Sequence, residues 1–308
     1  MDNDILNIMR KKKTHKYSKS QIISFVILLV VCFLWALPLI YMLGNSFKTK
    51  EEIIINPTGL LPSSLEGFAG IDNYAGFIIR EGQLDNMPKW MFNSIFAAVC
   101  GVTLTLILCS TAAYAFAFCK FKGREVLFKI LIFSMTIPGV IGTTAQFAIF
   151  ANVGKSISSL SSYWYLYFWL IVPGCASVYN MYLLRNFLVS IPKDIVESAK
   201  TDGASNFKIF IKIIMPLAKS TLLLIGLFAF TGSWNNLLWP QLIIAATGNV
   251  EGWNTVTTAL AGHASNNTLG SMGVNMATAV FSLIPIMIVF AITQDRMIEG
   301  MATTGIKQ

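Results

Sequence analysis

Charge is what this 308-residue chain has least of. Asp, Glu, Lys and Arg make up 12% of it, about half of the ~25% usual in soluble domains. The deficit is also concentrated. No charged side chain occurs in 20–47, 90–119, 130–154, 156–184, 220–250 or 252–294. A soluble helical protein with buried stretches this long would need far more polar outer surface. Histidine is nearly missing as well. His15 lies in a polar tail and His263 in a Gly- and Asn-rich stretch at 247–271, so an intramembrane hydrolase would find no imidazole base deep in a span. The five cysteines (Cys32, Cys100, Cys109, Cys119, Cys175) fall within or beside apolar runs and lack metal-ligand spacing. They read as small hydrophobic residues, with no disulfide, no metal and no cofactor expected. A nucleotide site is absent too. Gly154-Lys155-Ser156 imitates the end of a phosphate loop, but Ile149 stands where that loop needs its first glycine.

What is there is apolar length. The composition is 55% hydrophobic, and a span needs about 20 mainly apolar residues at ~1.5 Å rise each. A Lys or Asp at the centre of a span costs roughly 2.5–3.5 kcal/mol. The six gaps in charge therefore predict an all-α membrane protein with six transmembrane helices, near 21–43, 91–118, 130–150, 164–184, 219–246 and 272–294. An even number places both termini on one side. With the N-terminus, 120–129, 185–219 and 295–308 inside, that side holds 18 Lys and Arg against 8 acids, and the other side 5 against 7. The positive-inside rule selects this topology, with both termini cytoplasmic. The net charge of +8 is thus a matter of orientation, and no nucleic-acid partner follows from it. The bilayer is the partner.

Three regions result: a basic tail at 1–20, a six-helix domain at 21–294 and a short tail at 295–308. Arg10-Lys11-Lys12-Lys13 anchors the first on the positive side. Pro38 predicts a kink in the first span, and Ile137-Pro138-Gly139 a weak point in the third. The loop at 48–89 carries turn signals at Asn56-Pro57 and Leu61-Pro62. Tyr163, Trp164, Tyr165, Tyr167 and Trp169 read as an interfacial aromatic belt. In the fifth span Trp234, Asn235, Asn236 and Gln241 put polar groups where they are costly. They line a translocation path or bond neighbouring helices; the residues alone leave both open.

The charged island at 191–216 organises the second half. Pro192 suits a first helical turn. Ile195, Val196 and Ala199 make one apolar face, and Asp202-Gly203 marks a turn. Ser205 is placed to cap a second helix, in which Phe207, Phe210, Ile211 and Ile214 follow at amphipathic spacing with Lys208 and Lys212 on another face. Pro216 ends the pattern. Two short amphipathic helices between spans suit docking on a soluble partner.

This stretch resembles the signature of membrane subunits of ATP-binding-cassette importers: Glu-Ala-Ala, three residues, Gly, nine residues, Ile-x-Leu-Pro. Here it reads Glu197-Ser198-Ala199, Gly203, then Ile213-Ile214-Met215-Pro216, with Ser198 and Met215 as the departures. Other elements resemble the maltose-type (MalG-like) carbohydrate branch. These are Glu51-Glu52 with Pro57, Pro62 and Asn73-Tyr74; Ala113-Tyr114-Ala115-Phe116 before Phe121-Lys122-Gly123-Arg124; Ser233-Trp234-Asn235 and Trp239-Pro240; and the tail from Gly300. Phe118 departs, standing where a basic residue is common. The resemblance implies a type I ABC importer permease fold in a bacterial or archaeal cytoplasmic membrane. It implies a non-catalytic subunit that works with a pair of ABC ATPase subunits, a second homologous permease and an extracellular solute-binding protein. It also implies a carbohydrate substrate. Glu197, Ser198, Ala199, Asp202, Gly203, Ala204, Phe207, Ile213 and Pro216 would form the ATPase-coupling segment. The rival is a secondary transporter or channel that works without ATP. Ion-coupled carriers place ionisable groups at mid-membrane, and the expected spans hold none.

Overall fold

The computed structural model describes residues 18–76, 87–156, 162–247, 253–265 and 272–305. Most of the basic tail and the last three residues lie outside the described residues. Among these, all regular structure is helical, apart from one isolated bridge between Lys48 and Phe68.

Three unbroken helices are long and apolar enough to cross a bilayer. The first, α1 (Lys19–Asn45), starts where Gln21 Oε1 accepts the Ser18 N–H at 2.8 Å. It buries only Gly44 and Asn45 and exposes apolar side chains from Ile22 to Leu43. A helix apolar all round and not buried in protein has lipid as its solvent. Pro38 sits inside this one helix. Two short helices follow, α2 (Lys50–Ile55) and α3 (Asp72–Gly76). Then comes α4 (Met87–Phe118), 32 residues or about 48 Å long.

The expected third, fourth and fifth spans are not straight rods. The third is α5 (Arg124–Ser134) and α6 (Gly139–Ser156), bent by 95°. Pro138 lies in the break, where it cannot donate to a helical ladder. The fourth is α7 (Tyr163–Ile171), a 3₁₀ turn at Val172–Gly174, and α8 (Val178–Val189), bent by 45° across 175–177, just after Pro173-Gly174. After α9 (Lys193–Thr201) and α10 (Asn206–Ile209), α11 (Met215–Leu217) leads into α12 (Lys219–Trp234) through an 81° bend. The fifth span does not reach 246 in one piece. α12 stops at Trp234, and α13 (Leu238–Thr247) starts anew after Asn235–Leu237. The chain closes with α14 (Val256–Ser265) and α15 (Met272–Gly305), the third unbroken helix, with Pro285 inside it. Counting each bent pair once, the helices that could cross number up to six.

Helix α4 is the spine. At its start Met87 and Trp90 pack with Val256, Ala259 and Ala277 of α14 and α15. At its end Tyr114 and Phe116 pack with Leu184 and Leu188 of α8, Val196 and Ala199 of α9, and Ile209 and Ile214 beyond. The 191–216 segment and the 253–265 segment therefore sit at opposite ends of a rod longer than the ~30 Å hydrocarbon core.

The loop after α1 is folded, as expected of a segment packed over one face. Lys48 is completely buried, with Nζ donating to the carbonyls of Asn56 (3.0 Å) and Gly59 (2.6 Å). Glu52 accepts the Ser63 N–H (3.0 Å) and hydroxyl (2.9 Å). Asn73 Nδ2 reaches the carbonyls of Ser46 (2.9 Å) and Lys48 (2.8 Å). The aromatic belt is only partly a belt. Trp164 is exposed, but Tyr165 and Trp169 pack on Phe150, Trp239 and Trp253, and the Tyr167 hydroxyl donates to Asn93 Oδ1.

Candidate functional site

The 191–216 segment folds as a hook anchored on the end of α4. Helix α9 begins after Pro192, which holds the flanking position with φ −55°. Its inward face is Val196 and Ala199. Ile195, expected on that face, is exposed. The helix then ends as the Asp202-Gly203 signal predicts. Gly203 has φ +78°, its N–H donates to Lys200 O (3.0 Å), and the Ala204 N–H reaches back to Ala199 O (3.0 Å). This pair of bonds is a Schellman ending, which needs a left-handed residue at the glycine position. A β-carbon there would meet nothing within 4 Å, so the glycine answers to backbone angle and not to crowding within this chain.

Ser205 caps the second helix by accepting the Lys208 N–H at 3.3 Å. The expected regular face does not follow. Residues Phe210–Ile214 form a π turn, in which the Met215 N–H donates to Phe210 O. Pro216 has no N–H to offer Lys212 O, and the turn ahead of it widens by one residue. Burial then falls at five-residue spacing on Ile209 and Ile214, and next on Ala218. Phe207 is rotated outward, 71% exposed, and Ile211 is exposed as well. Tyr114 of α4 pins the hook. Its hydroxyl donates to Asn206 O at 3.2 Å, and its ring meets Phe210 edge-on at 5.1 Å.

The nine residues of the signature thus divide. Ala199, Ala204 and Ile213 belong to the anchoring core, while Glu197, Ser198, Asp202, Gly203, Phe207 and Pro216 are exposed. No ion pair engages Glu197 or Asp202 among the described residues. The exposed edge offers carboxylates, one aromatic ring and a sharply turned backbone on a rigid base.

The four polar residues expected on a path are dispersed. Trp234 is buried and stacked on Phe230, with ring centres 5.7 Å apart. Asn235 closes α12 and is exposed, as is Gln241. Asn236 alone borders a cleft of 210 Å³, where the 3₁₀ break at Pro173-Gly174 faces the break before α13. Its Oδ1 accepts the Trp239 N–H at 3.4 Å and its carbonyl accepts the Thr257 hydroxyl at 3.0 Å. Thr143 and Gln146 of α6 complete the polar wall. The sequence reading passed over both, although an amide in the uncharged run 130–154 was a signal of the same kind as Asn236.

Comparison with known proteins places the chain among transport permeases. The chain is similar to the alpha-glucoside transport system permease protein of Rhizobium meliloti, at 31% identity over 77% of this chain and 60% of that protein. It is also similar to the osmoprotective compounds uptake permease protein of Synechocystis sp. (27%, covering 96% and 95%). A third relative is the arabinooligosaccharides transport system permease protein of Halalkalibacterium halodurans (26%, covering 95% and 99%). The chain spans about 60% of the length of the first relative and nearly all of the other two. In fold it matches a chain of a bacterial ABC transporter involved in alginate import, with a TM-score of 0.67 at 24% identity, covering 91% of this chain and 98% of that one. Residues 107–302, which include the hook, α12 and most of α15, match the family described as binding-protein-dependent transport system inner membrane component. The chain belongs to that family of inner membrane transport components.

Proposed function

We propose that this chain is the permease subunit of an ATP-driven importer of a sugar or oligosaccharide and forms half of its translocation path. The observation that carries the coupling part is the hook: an exposed edge at Glu197, Ser198, Asp202, Gly203 and Phe207, mounted on a core shared with α4 and α8. A partner that binds that edge can move both helices, because packed interiors transmit displacement and do not absorb it. With no ATP-binding motif in its sequence, the chain takes its energy from a pair of ABC ATPase subunits, and their closure pushes the hook. A two-state bundle then alternates between inward- and outward-open forms. A second, homologous permease completes the pore, and an extracellular solute-binding protein delivers substrate at the opposite end of α4. Both termini and the hook are cytoplasmic in this reading. The cleft at Thr143, Gln146 and Asn236 belongs to the path, since helix breaks at membrane depth are tolerated where they line a cavity. The carbohydrate assignment draws on the alpha-glucoside and arabinooligosaccharide relatives.

The test is cross-linking. Single cysteines replacing Ser198 and Phe207, in a background without the native cysteines, should form cross-links to the ATPase in the assembled complex. Their yield should change when ATP is added. No cross-link from either position, in a complex that transports, would sink the coupling assignment.

A further inference from the structure

A second site lies beside the hook. The turn joining α4 to α5 and the first residue of α9 enclose an open cleft of 770 Å³. Lys120, Lys122, Arg124 and Lys193 line it, with Glu125 as its one acid. That acid is already engaged: Glu125 Oε1 accepts from Arg124 Nη2 (2.7 Å) and Nε (3.0 Å). Arg124 also reaches Cys119 O at 3.3 Å. Three lysines therefore line the cleft with no ion pair among the described residues. Topology accounts for lysines on this side of the bilayer; the fold adds that Lys193, from a separate segment, lines the same cleft.

The neighbouring helix supplies an independent observation. Helix α5 has no buried residue, and Val126, Leu127, Ile130 and Phe133 stand exposed, Phe133 at 71%. Its axis is bent by 95° from α6. Helix α5 runs back beside α4, with Phe128 against Phe116 and Leu131 sharing a cleft with Cys109 and Ala112, so it enters the bilayer that α4 crosses, its exposed apolar residues open to acyl chains. A basic pocket at the end of a lipid-facing helix is the pattern of anionic headgroup sites.

We propose that this cleft binds the phosphate headgroup of an anionic phospholipid, whose acyl chains lie along α5. Each of the three lysines can donate to a phosphate oxygen, and Arg124 fixes the turn through Glu125 and the Cys119 carbonyl. Because Lys193 opens α9, a bound headgroup ties the turn to the hook. That consequence rests on the coupling role given above; the lipid site itself does not.

The experiment uses the purified full chain in detergent, with lipid retention read by native mass spectrometry. The probes are phosphatidylglycerol and phosphatidylcholine with the same acyl chains. The wild type should retain phosphatidylglycerol preferentially. Neutralising one lysine near a lipid surface weakens binding about fivefold, so K120Q/K122Q/K193Q should lose about a hundredfold, while the arginine triple variant keeps the preference. Thermal unfolding of each variant checks that the fold is intact. Equal retention of the two lipids, or a glutamine variant that binds like the wild type, overturns the proposal. Displacement of the lipid by millimolar inorganic phosphate assigns the cleft to a free anion and also overturns it. So does a glutamine variant that keeps its lipid but no longer co-purifies with the ATPase, since the lysines then serve a protein. Lipid retention is measured on the isolated chain, so failure of the coupling reading leaves this result standing.

Discussion

Replacing Gly203 with alanine tests the hook through its backbone. The residue sits at φ +78° in the ending that joins α9 to α10, and an added β-carbon has no neighbour within 4 Å. Steric crowding within the chain is therefore excluded as the cause of any effect. The cost is conformational: an L-residue in the left-handed region loses roughly 1–2 kcal/mol. Two outcomes are open to the variant. It can hold the strained angle, and the loss appears as reduced stability. It can relax, breaking the Gly203-to-Lys200 and Ala204-to-Ala199 bonds (3.0 Å each), and the exposed edge changes shape. In the second case the loss appears in docking, about 5- to 30-fold in ATPase affinity at roughly 1.4 kcal/mol per tenfold. Asparagine separates backbone from bulk, because it tolerates the left-handed region better than alanine although it is larger. The expected order of ATPase co-purification, and of substrate-stimulated hydrolysis in proteoliposomes, is glycine, asparagine, alanine. The order glycine, alanine, asparagine would mean that the partner needs space at residue 203 and not this angle. Full binding and full ATP-driven uptake by the alanine variant would refute the coupling role itself.

Tyr114→Phe removes the hydroxyl that donates to Asn206 O and should cost about 0.5–1.5 kcal/mol. Hydrogen exchange over 204–210 should speed up, and unchanged protection there would show that the bond does not hold the hook. In the loop after α1, the Ser63 N–H and then its hydroxyl hold the Glu52 carboxyl below the usual carboxylate range. A carboxyl whose folded pKa is depressed stabilises above its unfolded pKa and loses that contribution as pH falls through the folded value. Proteolysis of 48–76 should therefore accelerate on acidification in the wild type and depend much less on pH in Glu52→Gln; equal pH profiles would exclude Glu52 as the cause. Gln146→Leu and Asn236→Leu should each raise the substrate concentration for half-maximal uptake several-fold with assembly intact, and unchanged uptake would return both residues to helix packing.

Much of this molecule follows from local chemistry. Uncharged runs of about 20 residues have few alternatives to membrane helices, so the apolar helices were legible, along with the Gly203 turn and the Ser205 cap. The break in the third span was legible as well, through Pro138, though its angle was not, and the break after Pro173-Gly174 was missed. A proline says where a ladder fails, while neighbouring helices decide how far the axis turns. The end of α12 at Trp234 was missed, because Asn235-Asn236 interrupts an apolar run without a charge or a proline before Pro240. The burial pattern after Ser205 was missed for a related reason. Amphipathic spacing assumes 3.6 residues per turn, and the π turn at Phe210–Ile214 moves every later side chain to a new face.

The sequence by itself determined the solvent and the signature: charge is too costly in lipid to be placed freely, and Glu197, Gly203 and Pro216 stand at spacings that a single chain displays without folding. Only the tertiary structure decided which parts of that signature face outward. Ala199, Ala204 and Ile213 turn inward because Tyr114, Leu184 and Leu188, from helices distant in sequence, complete their core. The same holds for the two clefts. Asn236 and Gln146 line one, and Lys193 and Lys120 the other, because bent helices bring remote segments together, and no local periodicity encodes that arrangement.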